Sequence, residues 1–223
     1  MLNELKIVIF DADGTLAKSR KFYRRALKKI LDLSSNSLLR QFYLTILQEE
    51  YCPKIVLTLW KKLNFLIYEI SEKLEGPPRL FKGVREFLEK LSENQVKMFV
   101  STTGSKSLRA EQKLQKLGIL NFFEKVSGRE FSKEEAIISF ARHLGIEYSK
   151  FCKEAFFISD GLEDMLLAQR LGICGIGITN TFSSRMLKKF GAKEVVSSFG
   201  ELINLYGEPT KKKTTRKARQ AVV

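Results

Sequence analysis

Four carboxylates, one lysine and two hydroxyls stand where short apolar runs of this chain stop or the next helical pattern opens. Asp11 and Asp13 follow Lys6-Ile7-Val8-Ile9-Phe10, and Ser101 and Thr102 follow Val96-Lys97-Met98-Phe99-Val100. Asp160 and Asp164 follow Ala155-Phe156-Phe157-Ile158, and Lys133 opens the helical pattern before that run. Carboxylates converging without a histidine make a hard, oxygen-only site, which suits Mg²⁺ with its waters and a substrate phosphate. Without a cation, clustered carboxylates repel one another and take up protons. A lysine and a hydroxyl opposite them can hold the non-bridging oxygens of a phosphoryl group, and backbone N–H groups of the Gly14 turn would add donors. An aspartate can accept a phosphoryl group once a metal screens the repulsion between the two anions. Asp13, two residues on, could protonate the leaving oxygen and later activate water.

The elements that must bring these residues together are legible as patterns. The run at 6–10 is continuously apolar, the mark of a strand buried on both faces. Similar runs recur at 96–100, 155–158 and 173–178, the last ending in Thr179-Asn180-Thr181. Helical patterns lie between them, at Val84 to Leu91, Leu108 to Leu117, Glu134 to Leu144 and Asp164 to Leu171. This alternation predicts an α/β fold with a doubly wound parallel sheet, in which ligands gather at the C-terminal strand ends. Residues 17–78 differ, reading as helical throughout with three apolar stripes and a stop at Gly76-Pro77-Pro78. Three helices exceed what one crossover needs, so the segment reads as a small lid. The expected organisation is a core of residues 1–16 and 79–208, a helical cap of 17–78 and a basic tail of 209–223.

Asp11-Ala12-Asp13-Gly14-Thr15-Leu16 after an apolar strand resembles the first motif of the haloacid dehalogenase superfamily. Ser101 is similar to its second motif, Lys133 to its third, and Asp160-Gly161-Leu162-Glu163-Asp164 to its acidic fourth. The insert after the first motif matches the position of the family's first cap class. The resemblance covers roughly residues 5 to 206 and implies a Rossmann-like core. It implies Asp11 as nucleophile and metal ligand, and Asp13 as general acid and base that also meets the metal through its backbone carbonyl. Ser101 and Lys133, with Thr102 beside them, would hold the phosphoryl oxygens. Asp160 would bind Mg²⁺ directly, and Asp164 would act through water or by orienting Lys133. Dehalogenase relatives lack the second aspartate, whereas phosphatases and phosphomutases carry it, so Asp13 argues against a dehalogenase; the favoured reading is a phosphatase acting on a small anionic phosphorylated metabolite through an aspartyl-phosphate. A phosphomutase of the same superfamily, or a non-catalytic module engaging nucleic acid, are the alternatives.

Plainer roles stand beside these. Ser101 and Thr102 could cap the next helix, Asp164 could simply favour a helix N-terminus, and Lys125 lies near Lys133. His143 reads as structural. The lysines and arginines from Lys18 to Lys29 read as a solvated helix face. Of the formal charge of +14, the tail carries six charges with no acidic residue after Glu208, leaving about +8 elsewhere. Such a tail is expected to be disordered, with nonspecific nucleic-acid contact open to it through counterion release. Three cysteines without a CxxC pair argue against a disulfide framework. No run is long enough to span a membrane and the N-terminus does not read as a signal peptide, so the expected location is cytoplasmic.

Overall fold

The computed structural model describes residues 5–18, 53–56, 58–59, 62–63, 66, 70 and 76–206. Six parallel strands form the central sheet: β1 (Ile7–Phe10), β4 (Lys97–Ser101), β5 (Lys125–Ser127), β6 (Ala155–Ser159), β7 (Cys174–Ile178) and β8 (Glu194–Val196). Their order is β5-β4-β1-β6-β7-β8. The chain winds outward in one direction from β1 through β4 and in the other through β6. The expected doubly wound architecture is therefore present, with its crevice at the end of β1.

Side chains alternate across the sheet with period two. Val8 and Phe10 pack with Met98, Val100 and Ile158 on one face, under α1 (Val84–Glu93), α2 (Ser107–Lys116) and α7 (Phe199–Tyr206). Ile7 and Ile9 pack with Phe99 and Phe157 on the other, under α3 (Lys133–His143), α4 (Tyr148–Glu154) and α5 (Leu162–Leu171). Both faces are buried, which is why β1 reads as an unbroken apolar run. In β7, Ile176 and Ile178 face the α1 layer, whereas a Cβ at Gly175 or Gly177 would meet Met165, Ala168 or Leu187 at 3.1–3.3 Å. The two glycines let α5 and α6 (Ser184–Lys189) lie directly on the strand.

The four strands and four helices expected of the core are all present. The pattern reading passed over β5 and β8, which at three residues each are too short to show a period. It also passed over α4, α6 and α7, helices of six to eight residues.

A second, two-stranded sheet lies where the insert begins. β2 (Ala17–Lys18) pairs antiparallel with β3 (Arg79–Leu80), Ala17 opposite Leu80 and Lys18 opposite Arg79. The chain therefore passes Lys18 and Arg79 side by side in antiparallel strands. The insert's first two residues are extended rather than helical. The expected helical lid falls largely outside the described residues, although 54–56, 58–59 and 62–63 are helical. The basic tail at 209–223 lies outside them entirely. Among the described residues no helix is long and apolar enough to cross a membrane.

Candidate active site

Register places the centre of the site. Phe10 pairs with Val100 on one side and Ile158 on the other, so the next residues, Asp11, Ser101 and Ser159, reach one level where three strands end. The Asp11 N–H still donates to the Ile158 carbonyl at 3.1 Å. Asp11 has the parity of Ile7 and Ile9, toward the face covered by α3 and α5, and those helices supply its partners. Lys133, the first residue of α3, donates from Nζ to Asp11 Oδ1 at 2.8 Å and pairs with Asp164 Oδ1 at 2.7 Å. A capping box fixes that helix start: the Glu135 N–H donates to Ser132 Oγ, and the Ser132 N–H donates to Glu135 Oε2. The ammonium also stands 5.5 Å from the centroid of the Phe157 ring. Asp164, in the first turn of α5, accepts from Ser159 Oγ at 2.5 Å.

Asp160 is oriented by two hydroxyls. Thr15 Oγ1 donates to Asp160 Oδ1 at 3.0 Å and accepts the Asp160 N–H at 3.0 Å, while the Thr181 hydroxyl donates to Oδ2. Each carboxylate oxygen has a second lone pair for another partner. Asn180 Nδ2 donates to the Gly14 carbonyl at 2.8 Å, tying the loop after β7 to the first motif. Gly14 has φ +97°, and a Cβ there would lie 2.4 Å from the Asp160 carboxylate, so this turn requires glycine. The Gly14 N–H donates to the Ala17 carbonyl at 2.9 Å. That N–H closes the turn.

Asp13 is met from the opposite face, where Lys113 of α2 donates to its Oδ1. Ser101 is buried at the last position of β4. Thr102 donates its N–H to the Ser127 carbonyl, and its hydroxyl accepts the Gly104 N–H at 3.2 Å in a local turn. Lys125 lies away from these residues, bonded to Ser139, so Lys133 is the lysine that reaches Asp11. His143 is half-exposed beside Glu124. Pattern reading assigned no role to Thr15, Ser159, Asn180, Thr181 or Lys113. A strand ending in Thr179-Asn180-Thr181 was the available signal for two of them, and Lys113 carries none.

Burial pushes the Asp11 carboxyl up to about 7; neighbouring Asp164 and Asp160 add to the rise and Lys133 opposes it. Burial works against the Lys133 charge, but Asp11 and Asp164 outweigh it and hold the ammonium above its ordinary range. This crowding is what a cation would relieve. Among the described residues, no three Asp, Glu, His or Cys side chains gather into a metal-binding group. Asp11 and Asp160, at the adjoining ends of β1 and β6, offer carboxylate oxygens, although Lys133 already bonds Asp11 as well as Asp164, and Lys113 bonds Asp13. Two carboxylates without nitrogen or sulfur fit Mg²⁺, which takes one or two and keeps waters, better than an ion needing a full protein cage.

Several solved structures share this architecture. A predicted phosphatase from Clostridium acetobutylicum aligns with a TM-score of 0.63 at 21% identity, over 90% of this chain and 97% of its own. A hydrolase from Pseudomonas syringae aligns with a TM-score of 0.63 at 22% identity, over 91% and 98%. A predicted phosphoglycolate phosphatase from Haemophilus somnus gives 0.61 at 17%, over 91% and 98%. No curated protein matches the sequence. The family profile of haloacid dehalogenase-like hydrolases matches residues 8–178, from β1 to the end of β7 and spanning every site residue but Asn180 and Thr181. With most of its length matched by that profile, the chain belongs to the haloacid dehalogenase-like hydrolases.

Proposed function

We propose that this hydrolase is a Mg²⁺-dependent phosphomonoesterase in which Asp11 accepts the phosphoryl group. The observation that carries the reading is a buried carboxylate at a strand end, gripped by Lys133 and crowded by Asp160 and Asp164. Asp11 and Asp160 would hold the metal, which when bound neutralises charge on the carboxylates and the phosphoryl oxygens. Lys133 and the Ser101 hydroxyl would hold non-bridging oxygens, with Thr102 shaping the loop between them. Asp164 would keep Lys133 aimed at the reacting group. The Asp11 carboxylate attacks phosphorus, the P–O bond to the leaving group breaks, and Asp13 gives that oxygen a proton. Asp13 then takes a proton from the water that opens the aspartyl-phosphate, restoring both carboxyl groups.

The presence of Asp13 favours phosphate esters over halides, because an alkoxide leaving group needs a proton and a halide does not. Release of inorganic phosphate from small phosphomonoesters, measured with Mg²⁺ and with EDTA, tests the reading. Asp11→Asn is expected to lose at least about a thousandfold in turnover, as loss of a covalent nucleophile does, while keeping its far-UV circular dichroism. Retention of most activity by that variant would refute the mechanism.

A further inference from the structure

The two aspartates of the first motif are held from opposite layers of the molecule. Asp11 meets Lys133 from the α3 face, and Asp13 meets Lys113 from the α2 face. The turn at Ala12–Gly14 divides them, since Leu16 and Ala17 both donate their N–H groups back to the Ala12 carbonyl. Lys113 does not hang from a mobile surface. Its neighbours Ala110 and Leu114 anchor α2 in the core, and the N-terminus of that helix is tied to the loop after β5. There the Ser107 N–H donates to Glu130 at 2.8 Å and the Gly128 N–H to Ser107 Oγ at 2.7 Å. The side chains of Lys113 and Asp13 are only 13% and 2% exposed, so the contact is not a screened surface pair.

We infer that Lys113 is a positioning residue for Asp13, fixing the direction of the carboxyl group that exchanges protons with leaving group and water. The inference rests on the proposed phosphatase reading. A carboxyl group a rotamer away from the leaving oxygen transfers no proton to it, because proton transfer needs hydrogen-bond reach. Lys113 removes that freedom from a helix anchored in the core.

The test uses the full chain with Mg²⁺ and two aryl esters, p-nitrophenyl phosphate and phenyl phosphate. The nitrophenolate leaves readily without a proton; phenolate does so poorly. Lys113→Met is expected to lose about tenfold more kcat/KM on phenyl phosphate than on p-nitrophenyl phosphate, within the range of general acid catalysis. KM should move by less than about twofold, since uniform binding is untouched. Lys113→Arg should recover most of the selective loss. In an Asp13→Asn background, Lys113→Met should cost nothing further, because its effect passes through Asp13. Should the methionine variant misfold, Lys113→Gln carries the same comparison. An equal loss on both esters, or a loss that persists beside Asp13→Asn, would overturn the inference.

Crystal structures of the wild type and Lys113→Met separate this inference from the phosphatase reading. If neither ester is hydrolysed but Asp13 sits on Lys113 and turns away in the variant, the positioning stands and the phosphatase reading falls. If Asp13 keeps one rotamer in both, the positioning falls whatever the activity.

Discussion

At the scale of single residues, the site is a chain of obligations between neighbours. Asp160 is aimed by two hydroxyls, Thr15 donating to one carboxylate oxygen and Thr181 to the other. Removing one donor leaves the group present but loosely aimed. Thr181→Val, nearly equal in volume, is therefore expected to weaken Mg²⁺ affinity roughly 10- to 100-fold, the usual cost of losing a partner that orients a ligand. Isothermal titration with Mg²⁺, or the Mg²⁺-dependent rise in melting temperature, would report it without any turnover. An unchanged affinity would mean that Thr15 alone sets the Asp160 orientation. The notation Asp-x-Asp-Gly-Thr in the sequence already contains Thr15. Thr181 lies 21 residues beyond Asp160, and only the adjacency of β6 and β7 makes them partners.

At the scale of elements, helix starts and strand surfaces decide where the charged groups arrive. Lys133 can bridge Asp11 and Asp164 only if α3 begins where it does, and the Ser132–Glu135 capping box fixes that start. Ser132→Ala should cost about 1 kcal/mol of stability, typical for a lost N-cap. It should also lower kcat/KM, because the first turn that carries Lys133 frays. Urea denaturation and steady-state kinetics would measure the two effects separately. A stable but kinetically unchanged variant would show that Asp11 and Asp164 hold Lys133 without help from the cap. In β7, Gly177→Val would drive a branched side chain into Leu187, whose atoms would lie 3.1 Å from the new Cβ. Overpacking of this kind destabilises by about 1–3 kcal/mol. A shift in denaturation midpoint with unchanged m-value would identify it, and no shift would mean that α6 moves off the sheet freely.

At the scale of the whole molecule, the crowded carboxylates link folding to pH. The folded chain holds the Asp11 proton up to about 7, against an ordinary 3.8, so it binds that proton more tightly than the unfolded chain does. The corresponding stability is complete below about pH 4 and is lost as pH rises through about 7. The ammonium of Lys133 is held above its ordinary 10.5, so its own contribution persists across that window and does not reverse the trend. The metal-free protein is thus expected to lose stability between pH 4 and 8, by an amount on the order of a few kcal/mol. Denaturation in EDTA across that range would show the slope. Asp11→Asn should flatten it, and so should Mg²⁺, which favours the ionised carboxylates. An equal slope in wild type and variant would place the linkage elsewhere.

Period and chain order were sufficient for the core. Continuous apolar runs mark strands buried on two faces, and the carboxylates that end them fall at the edge where such sheets bind ligands, so Asp11, Asp160 and Lys133 were legible as a group. Tertiary structure alone decided which partner each of them takes. Strand register and side-chain parity send Asp11 to one layer, and the Gly14 turn sends Asp13 to the other. Lys113 and Thr181 became partners of the motif only through helix placement and strand adjacency. A one-dimensional pattern records how often a side chain faces a surface. It carries no record of what lies across that surface, and the chemistry of this site depends on both.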